Sequence, residues 1–301
     1  MWISRFFTVA LAAIAAVTAL AGAAWAQDFV GKSAPWQLGL REAASPTMER
    51  LNSFHNGLLI LILVISVFVL LLLMYIMIRF RAARNPNPSK NTHNTLLEVV
   101  WTVVPILILV AVAVPSFRLL YFADRTADAE LTIKAIGSQW FWSYEYPDHD
   151  NLAFDAIMVE DEDIQEGQVR LLSTDNDVVL PVNTNIRILT TANDVIHSFA
   201  MPNLGIKLDA VPGRINETWV RIEREGMYYG QCSELCGVRH GFMPIAIRVV
   251  SKAEFDRWVD EAKEKFAHDG KPGSLEKVAE IRAEKARMLA ARAEALDAAT
   301  N

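Results

Sequence analysis

Gln231-Cys232-Ser233-Glu234-Leu235-Cys236-Gly237-Val238-Arg239-His240-Gly241-Phe242-Met243-Pro244 is the densest run of metal-ligand types in the chain. Two thiols, an imidazole and a thioether lie between Cys232 and Met243. A second imidazole, His197, stands upstream in Asp194-Val195-Ile196-His197-Ser198-Phe199. Two cysteines, two histidines and a methionine form a soft donor set that suits copper and lacks the extra carboxylates a hard cation wants. The cysteines sit four apart in a loop just after a strand-like run. A loop closing between two strands can direct Cys232, Cys236, His240 and Met243 at one point, with His197 arriving from another loop. Greek-key sandwiches build copper sites in this way. The plain alternative for two cysteines outside the cytoplasm is a structural disulfide, but the histidines and the methionine speak against it. A thioredoxin-like dithiol protein would need βαβ units, and the sequence shows none.

Working outward, residues 131–250 read as short β-type runs. The expected strands are Leu131–Ile136, Gln139–Tyr146, Ala153–Val159, Gln168–Leu172, Val178–Val182, Ile186–Thr191, Glu217–Ile222, Met227–Tyr229 and Ile245–Val250. Turn residues such as Pro147-Asp148, Glu166-Gly167 and Val211-Pro212-Gly213 separate many of them. Many short strands in one compact segment predict an all-β sandwich or small barrel. No Gly-rich phosphate loop is present. Within Gln139–Tyr146, a period of two puts Trp140, Trp142, Tyr144 and Tyr146 on one face.

Further out, the chain turns apolar. Leu58 to Ile78 and Val99 to Phe117 are free of charge and long enough to cross a bilayer. The spans are expected at about 57–78 and 97–118. Arg79, Arg81, Arg84 and Lys90 make the connecting loop basic, so it should stay cytoplasmic and both hairpin ends should face outward. Arg5, the apolar Phe6–Leu20 and Ala24-Trp25-Ala26 read as a cleaved signal peptide, residues 1–26. The expected organisation is then 1–26 leader, 27–120 N-terminal segment and hairpin, 121–250 soluble β domain, and 251–301 helical extension. Ser251-Lys252-Ala253-Glu254 opens that extension as a capping box, with Phe255, Trp258, Val259 and Ala262 on one face. Thr95-Leu96-Leu97-Glu98 reads as a capping box for the second span.

Composition agrees with this division. Mean hydropathy is +0.20 and 52% of the 301 residues are hydrophobic. Formal net charge is −6, which argues against nucleic acid as a partner. The acidity is concentrated in residues 121–250, which carry ten basic and twenty acidic side chains. Two cysteines are too few for a disulfide scaffold, a four-cysteine zinc site or an iron–sulfur cluster.

The motif Cys-Ser-Glu-Leu-Cys-Gly-x-x-His-x-x-Met, preceded by Asp-Val-Ile-His-Ser, resembles subunit II of the haem–copper cytochrome c oxidases. Gln139-Trp140-Phe141-Trp142, Asp209-Ala210-Val211-Pro212-Gly213-Arg214 and Thr92-His93-Asn94 match as well. The resemblance covers about residues 50–265 and follows the bacterial, signal-bearing form. It implies a two-helix transmembrane hairpin, a cupredoxin-like Greek-key domain and a binuclear copper centre (CuA). Cys232 and Cys236 would bridge two copper ions, His197 and His240 would be terminal ligands, Met243 a weak axial one, and Glu234 would offer its carbonyl. The Glu234 carboxylate would hold Mg²⁺ or Mn²⁺ at the contact with the catalytic subunit. Trp140 would receive electrons from cytochrome c, and Glu98 would sit at the mouth of a proton-uptake path. Glu145, Asp155, Asp175 and Asp194 would help dock cytochrome c, whose haem edge is lysine-rich, with the run Glu160-Asp161-Glu162-Asp163 as a further candidate. The chain departs from the family at Ser138, usually His, and at Leu96, usually Pro.

The implied role is electron transfer from cytochrome c to haem in subunit I, where oxygen is reduced with proton translocation. Subunit III and the lipid bilayer are further expected partners. The location is the bacterial inner membrane, with both termini and the copper domain periplasmic. A quinol oxidase subunit II would lack the copper ligands. A membrane-anchored copper-delivery protein would need neither the hairpin nor the aromatic strand.

Overall fold

The computed structural model describes residues 29–124 and 128–266, with Arg287 beyond them. The expected leader and nearly all of the tail after Phe266 lie outside the described residues. The chain makes a short strand β1 (Phe29–Gly31), a helical hairpin of α1 (Pro46–Arg79) and α2 (Thr95–Ala123), and then a β domain closed by helix α3 (Lys252–Lys265). The β domain contains β2 (Leu131–Ser138), β3 (Phe141–Tyr146), β4 (Leu152–Ala156), β5 (Val178–Pro181), β6 (Asn185–Ala192) and β7 (His197–Met201). It continues with β8 (Ile206–Ala210), β9 (Asn216–Arg221), β10 (Gly226–Cys232) and β11 (Pro244–Val250).

Both hairpin helices are long, apolar and free of buried side chains in their spanning windows, as lipid-facing helices should be. Helix α1 starts well before its uncharged run. The Ser45 hydroxyl accepts from the Met48 N–H at 3.1 Å, and Pro46 follows at the first helical position. The extra turns bury Thr47 and Met48. Helix α2 is capped one residue earlier than the sequence suggests. Asn94, not Thr95, is the N-cap, and its side chain accepts from the Leu97 N–H at 3.2 Å. Glu98 accepts in return from the Asn94 N–H at 3.3 Å. The asparagine prevails because its oxygen reaches back over the first turn as readily as a hydroxyl does.

Two sheets stack to form the β domain. One runs β5-β11-β10-β7-β8, with β1 alongside β10, and the other runs β4-β3-β2-β6-β9. The facing sides supply the core. In β6 buried and half-buried residues alternate strictly, and in β3 Trp142, Tyr144 and Tyr146 are fully buried. This is the expected two-sheet, cupredoxin-like architecture, with three local corrections. Gln168–Leu172 forms turns rather than a strand, with Leu171 in the left-handed region at φ 64°. Gln139 and Trp140 form the β2–β3 turn, so Trp140 is not part of the strand that carries Trp142. Strands β7 and β8 were not anticipated. His-Ser-Phe-Ala-Met has weak strand propensity, and only its pairing with β10 and β8 makes it one.

Helix α3 closes one end. Its cap is half of the expected box: Ser251 Oγ accepts from the Glu254 N–H at 3.2 Å, but the Glu254 carboxylate pairs with Arg248 at 2.8 Å instead of returning to Ser251. Phe255, Val259 and Ala262 are buried against the domain, and the Trp258 ring lies 5.3 Å from Tyr146. Burial of a large apolar side chain of this kind is worth roughly 1.5–3 kcal/mol.

The hairpin is tied to the domain at both ends. Ser45 donates to the Leu204 carbonyl at 2.7 Å, Arg41 to the Tyr229 carbonyl at 2.8 Å, and Trp219 Nε1 to the Phe122 carbonyl at 3.1 Å.

Candidate metal centre

The soft donors converge where β10 runs into β11. Cys232 is the last residue of β10, and Met243 immediately precedes β11. A hydrogen bond from Cys232 N to Met243 O at 3.3 Å closes the base of the loop between them. His197 opens β7, so it arrives on a strand rather than on a loop. The adjacent pairing of Cys232 with Phe199 sets its ring beside the cysteine.

Cys232 and Cys236 are free thiols with sulfurs 3.8 Å apart, well beyond the ~2.05 Å of a disulfide. His197 Nδ1 lies 3.8 Å from Cys232 Sγ. His240 Nδ1 and Met243 Sδ each lie 3.6 Å from Cys236 Sγ. The Glu234 carbonyl oxygen is 3.4 Å from Cys232 Sγ. Ligands bound at about 2.0–2.3 Å to a shared ion stand at such mutual separations. The donor atoms of His197, Cys232 and Cys236 all fall within 4.8 Å of one another. Both cysteines, His197 and Met243 are buried, and His240 is the partly exposed edge. A largely buried, soft cluster of five side chains fits a copper site.

The surroundings orient this cluster. His197 Nε2 meets Asp194 Oδ1 at 2.9 Å. An ionised carboxylate only accepts, so Nε2 carries a proton, and Nδ1, which faces the sulfurs, is the nitrogen that a metal would take after losing its own proton. Burial opposes ionisation of Asp194, yet hydrogen bonds from His197 and from the backbone N–H groups of Val195 and Gln139 hold its carboxyl below the usual range. Burial likewise opposes a charged His197, but the Asp194 and Cys232 partners lift it to about 8. Burial raises the Cys232 thiol as well; the His197 contact and the Ser198 backbone outweigh this and lower it. Cys236, buried beside that thiolate, is pushed up. The pair therefore gives up its first proton readily and holds the second.

Two glycines make room. A Cβ on Gly137 would stand 2.7 Å from His197 Cδ2, and Gly237 adopts φ +120° against Gln139 and Trp140. The Cys236 carbonyl accepts from Gln139 Nε2 at 2.8 Å and from Trp140 Nε1 at 3.2 Å. Trp142 Nε1 donates to the Met243 carbonyl at 3.3 Å, and its ring sits edge-on to His197.

Two family models match the chain: the cytochrome c oxidase subunit II transmembrane domain over residues 33–119 and the periplasmic domain over residues 131–250. The chain belongs to the cytochrome c oxidase subunit II family. It is 54% identical over 247 residues to a probable cytochrome c oxidase subunit 2 of Rickettsia bellii, which covers 82% of this chain and 91% of that one. With the Rickettsia prowazekii protein it shares 55% identity, covering 82% and 79%. The solved periplasmic domain of cytochrome oxidase subunit II from Bradyrhizobium japonicum is 56% identical, covers 48% of this chain and all of that one, and superposes with a TM-score of 0.45. As a subunit II, the chain is a membrane-anchored component of a haem–copper oxidase, with a two-span hairpin.

The other residues singled out from the sequence are scattered around the centre. Trp140 is 9% exposed and lies one hydrogen bond from the Cys236 backbone. Ser138 is buried and accepts from Asn193 Nδ2 at 3.0 Å, which ties the turn to the segment before His197. The Glu234 side chain points to solvent. Glu98 is far along the chain, at the opposite end of the hairpin from the β domain.

All four acids expected at a docking surface have internal partners. Glu145 pairs with Lys134 at 3.0 Å, Asp175 accepts from the Ile157 N–H at 2.7 Å, and Asp194 holds His197. Asp155 is 8% exposed and accepts from Ser143 Oγ at 2.6 Å, which leaves it little surface for direct contact. In the acidic run, Glu160 pairs with the buried Arg239 at 2.7 Å and Asp161 with Arg170 at 2.7 Å. The orienting role of Asp194, the space at Gly137 and the Glu160–Arg239 pair were not read from the sequence. Asp194, three residues before the candidate donor His197, was the one available signal.

Proposed function

We propose that the chain is the electron-input subunit of its oxidase. It accepts electrons from cytochrome c at a binuclear CuA centre and passes them to haem in the catalytic subunit I, where oxygen is reduced to water with proton translocation. The observation that carries this reading is the convergence of Cys232, Cys236, His197, His240 and Met243 in one largely buried cluster, with sulfur–sulfur and sulfur–nitrogen separations of 3.6–3.8 Å. Cys232, Cys236, His197, His240, Met243 and the Glu234 carbonyl would together hold the two copper ions. Bound there, the copper pair would supply reversible one-electron storage with little change in geometry.

The protein's own residues do the rest. Asp194 fixes the His197 tautomer and ring. Gln139 and Trp140 pin the Cys236 carbonyl, and the Trp140 indole provides the path inward from a docked cytochrome c. The exposed Glu234 carboxylate would share Mg²⁺ or Mn²⁺ with subunit I. The excess of acid over base in residues 121–250 would steer a lysine-rich partner. The basic loop 79–90 supports a cytoplasmic position for that end of the hairpin, and the β domain would then lie in the periplasm. Glu98, at the cytoplasmic end, would serve proton uptake besides capping α2. Glu98→Ala should then slow turnover and proton uptake in the assembled enzyme, and unchanged rates would exclude that role.

Copper content and the visible and EPR spectra of the purified chain test the central claim. Two coppers with a mixed-valence signal support it. One copper or none refutes it and favours a copper-delivery or quinol-oxidising relative.

A further inference from the structure

Between α1 and α2, at the end of the hairpin nearest the β domain, lies a cavity of about 520 Å³. Small residues line it from both helices, Ser53 and Gly57 on one and Ala111 and Pro115 on the other, and the proline removes a backbone donor from α2. The floor is otherwise apolar. Two arginines, Arg50 from α1 and Arg118 from α2, stand at its rim. Among the described residues no carboxylate lines the cavity and neither arginine has an acidic partner within 4.0 Å. Arg50 instead lies over the Phe122 ring, 3.6 Å from its centroid.

Two cations at the membrane surface with an apolar slot beneath them match one chemistry: a phosphate above an acyl chain. On the orientation proposed above, these arginines face outward, against the usual bias of positive residues toward the cytoplasm. An anionic counterpart offsets that arrangement. We infer that the cavity binds an anionic diacyl phospholipid, with its phosphate between Arg50 and Arg118 and an acyl chain along the groove between the helices. A helix of another subunit laid in the same groove would bring no phosphate to the guanidinium groups.

The test uses the assembled oxidase in nanodiscs doped with diazirine-bearing phosphatidylglycerol or, separately, the matching phosphatidylcholine. Phosphatidylglycerol should label peptides 50–61 and 108–119 much more strongly than phosphatidylcholine. Arg50→Gln with Arg118→Gln should reduce the apparent affinity for phosphatidylglycerol about 30-fold, roughly fivefold per arginine, with copper and haem contents unchanged. Equal labelling by the two lipids in the wild-type complex overturns the inference, as does labelling that misses both peptides. The wild-type comparison stands even if the double variant does not assemble. Because lipid labelling does not depend on copper or on electron transfer, its failure is separable from failure of the proposed function.

Discussion

Asp194 Oδ1 and His197 Nε2 meet at 2.9 Å, and the same carboxylate also accepts from the backbone N–H groups of Val195 and Gln139 at 2.6 and 2.7 Å. One side chain thus fixes both the imidazole and the turn that carries Trp140. Asp194→Asn should lower copper affinity by about 10–100-fold, the usual effect of removing a carboxylate behind a ligating histidine. Chelator competition on the purified chain measures this, and an unchanged affinity would show that the carboxylate does not set the ring.

Gly137 faces the same histidine from the neighbouring sheet. Gly137→Ala would place a methyl 2.7–2.9 Å from three His197 atoms, inside van der Waals contact. Overpacking of this kind costs about 1–3 kcal/mol. The variant should fold with a lower Tm and a reduced copper-to-protein ratio. Gly241→Ala, where a Cβ meets nothing within 4 Å, should leave both unchanged.

The Glu160–Arg239 pair holds the 157–177 loop against the loop that joins β10 to β11. Arg239 is 9% exposed and its Nε has no hydrogen-bond partner among the described residues, so loss of the carboxylate strands a nearly buried charge. Glu160→Gln should destabilise by about 1.5–3 kcal/mol. Adding Arg239→Leu should recover part of that loss, because the uncompensated charge is removed with it. A double-mutant cycle on denaturant midpoints gives the coupling, and additive effects would mean the pair contributes nothing.

Asp177 offers a pH test away from the metal. Burial raises its carboxyl above the usual range, although Arg248, Thr174 and Lys265 pull it down; Asp175 adds to the rise. The folded protein therefore holds this proton more tightly than the unfolded chain does. Stability from this group is present below the ordinary carboxylate range and is lost as pH rises through the elevated value. Asp177→Asn should flatten that decline. Parallel denaturation curves of variant and wild type across the acid range decide it, and an identical slope would remove Asp177 from the account.

Long-range steering by the acidic β domain predicts that oxidation of cytochrome c slows steeply with added salt, since the Debye length is only about 10 Å at 0.1 M. Stopped-flow rates against ionic strength measure it. A flat response would leave the charge imbalance of residues 121–250 without a role in docking.

Much of this protein is legible in one dimension. Two long uncharged runs can be satisfied only as spanning helices, because hydrocarbon offers no partner to a bare backbone. The spacing of Cys232, Cys236, His240 and Met243 lies within one loop, so sequence proximity alone brings four donors together. Period two along β3 sets Trp142, Tyr144 and Tyr146 together in the core. The tertiary fold decided what depends on distant segments. His197 became a strand residue only through pairing with Ala210 of β8, and Gly137 matters only because another sheet presses that histidine against it. Glu160 looked like part of a solvated acidic run until the fold set Arg239 beside it. Local spacing and hydropathy act along the chain, whereas register, clearance and charge pairing arise between residues that the chain keeps far apart.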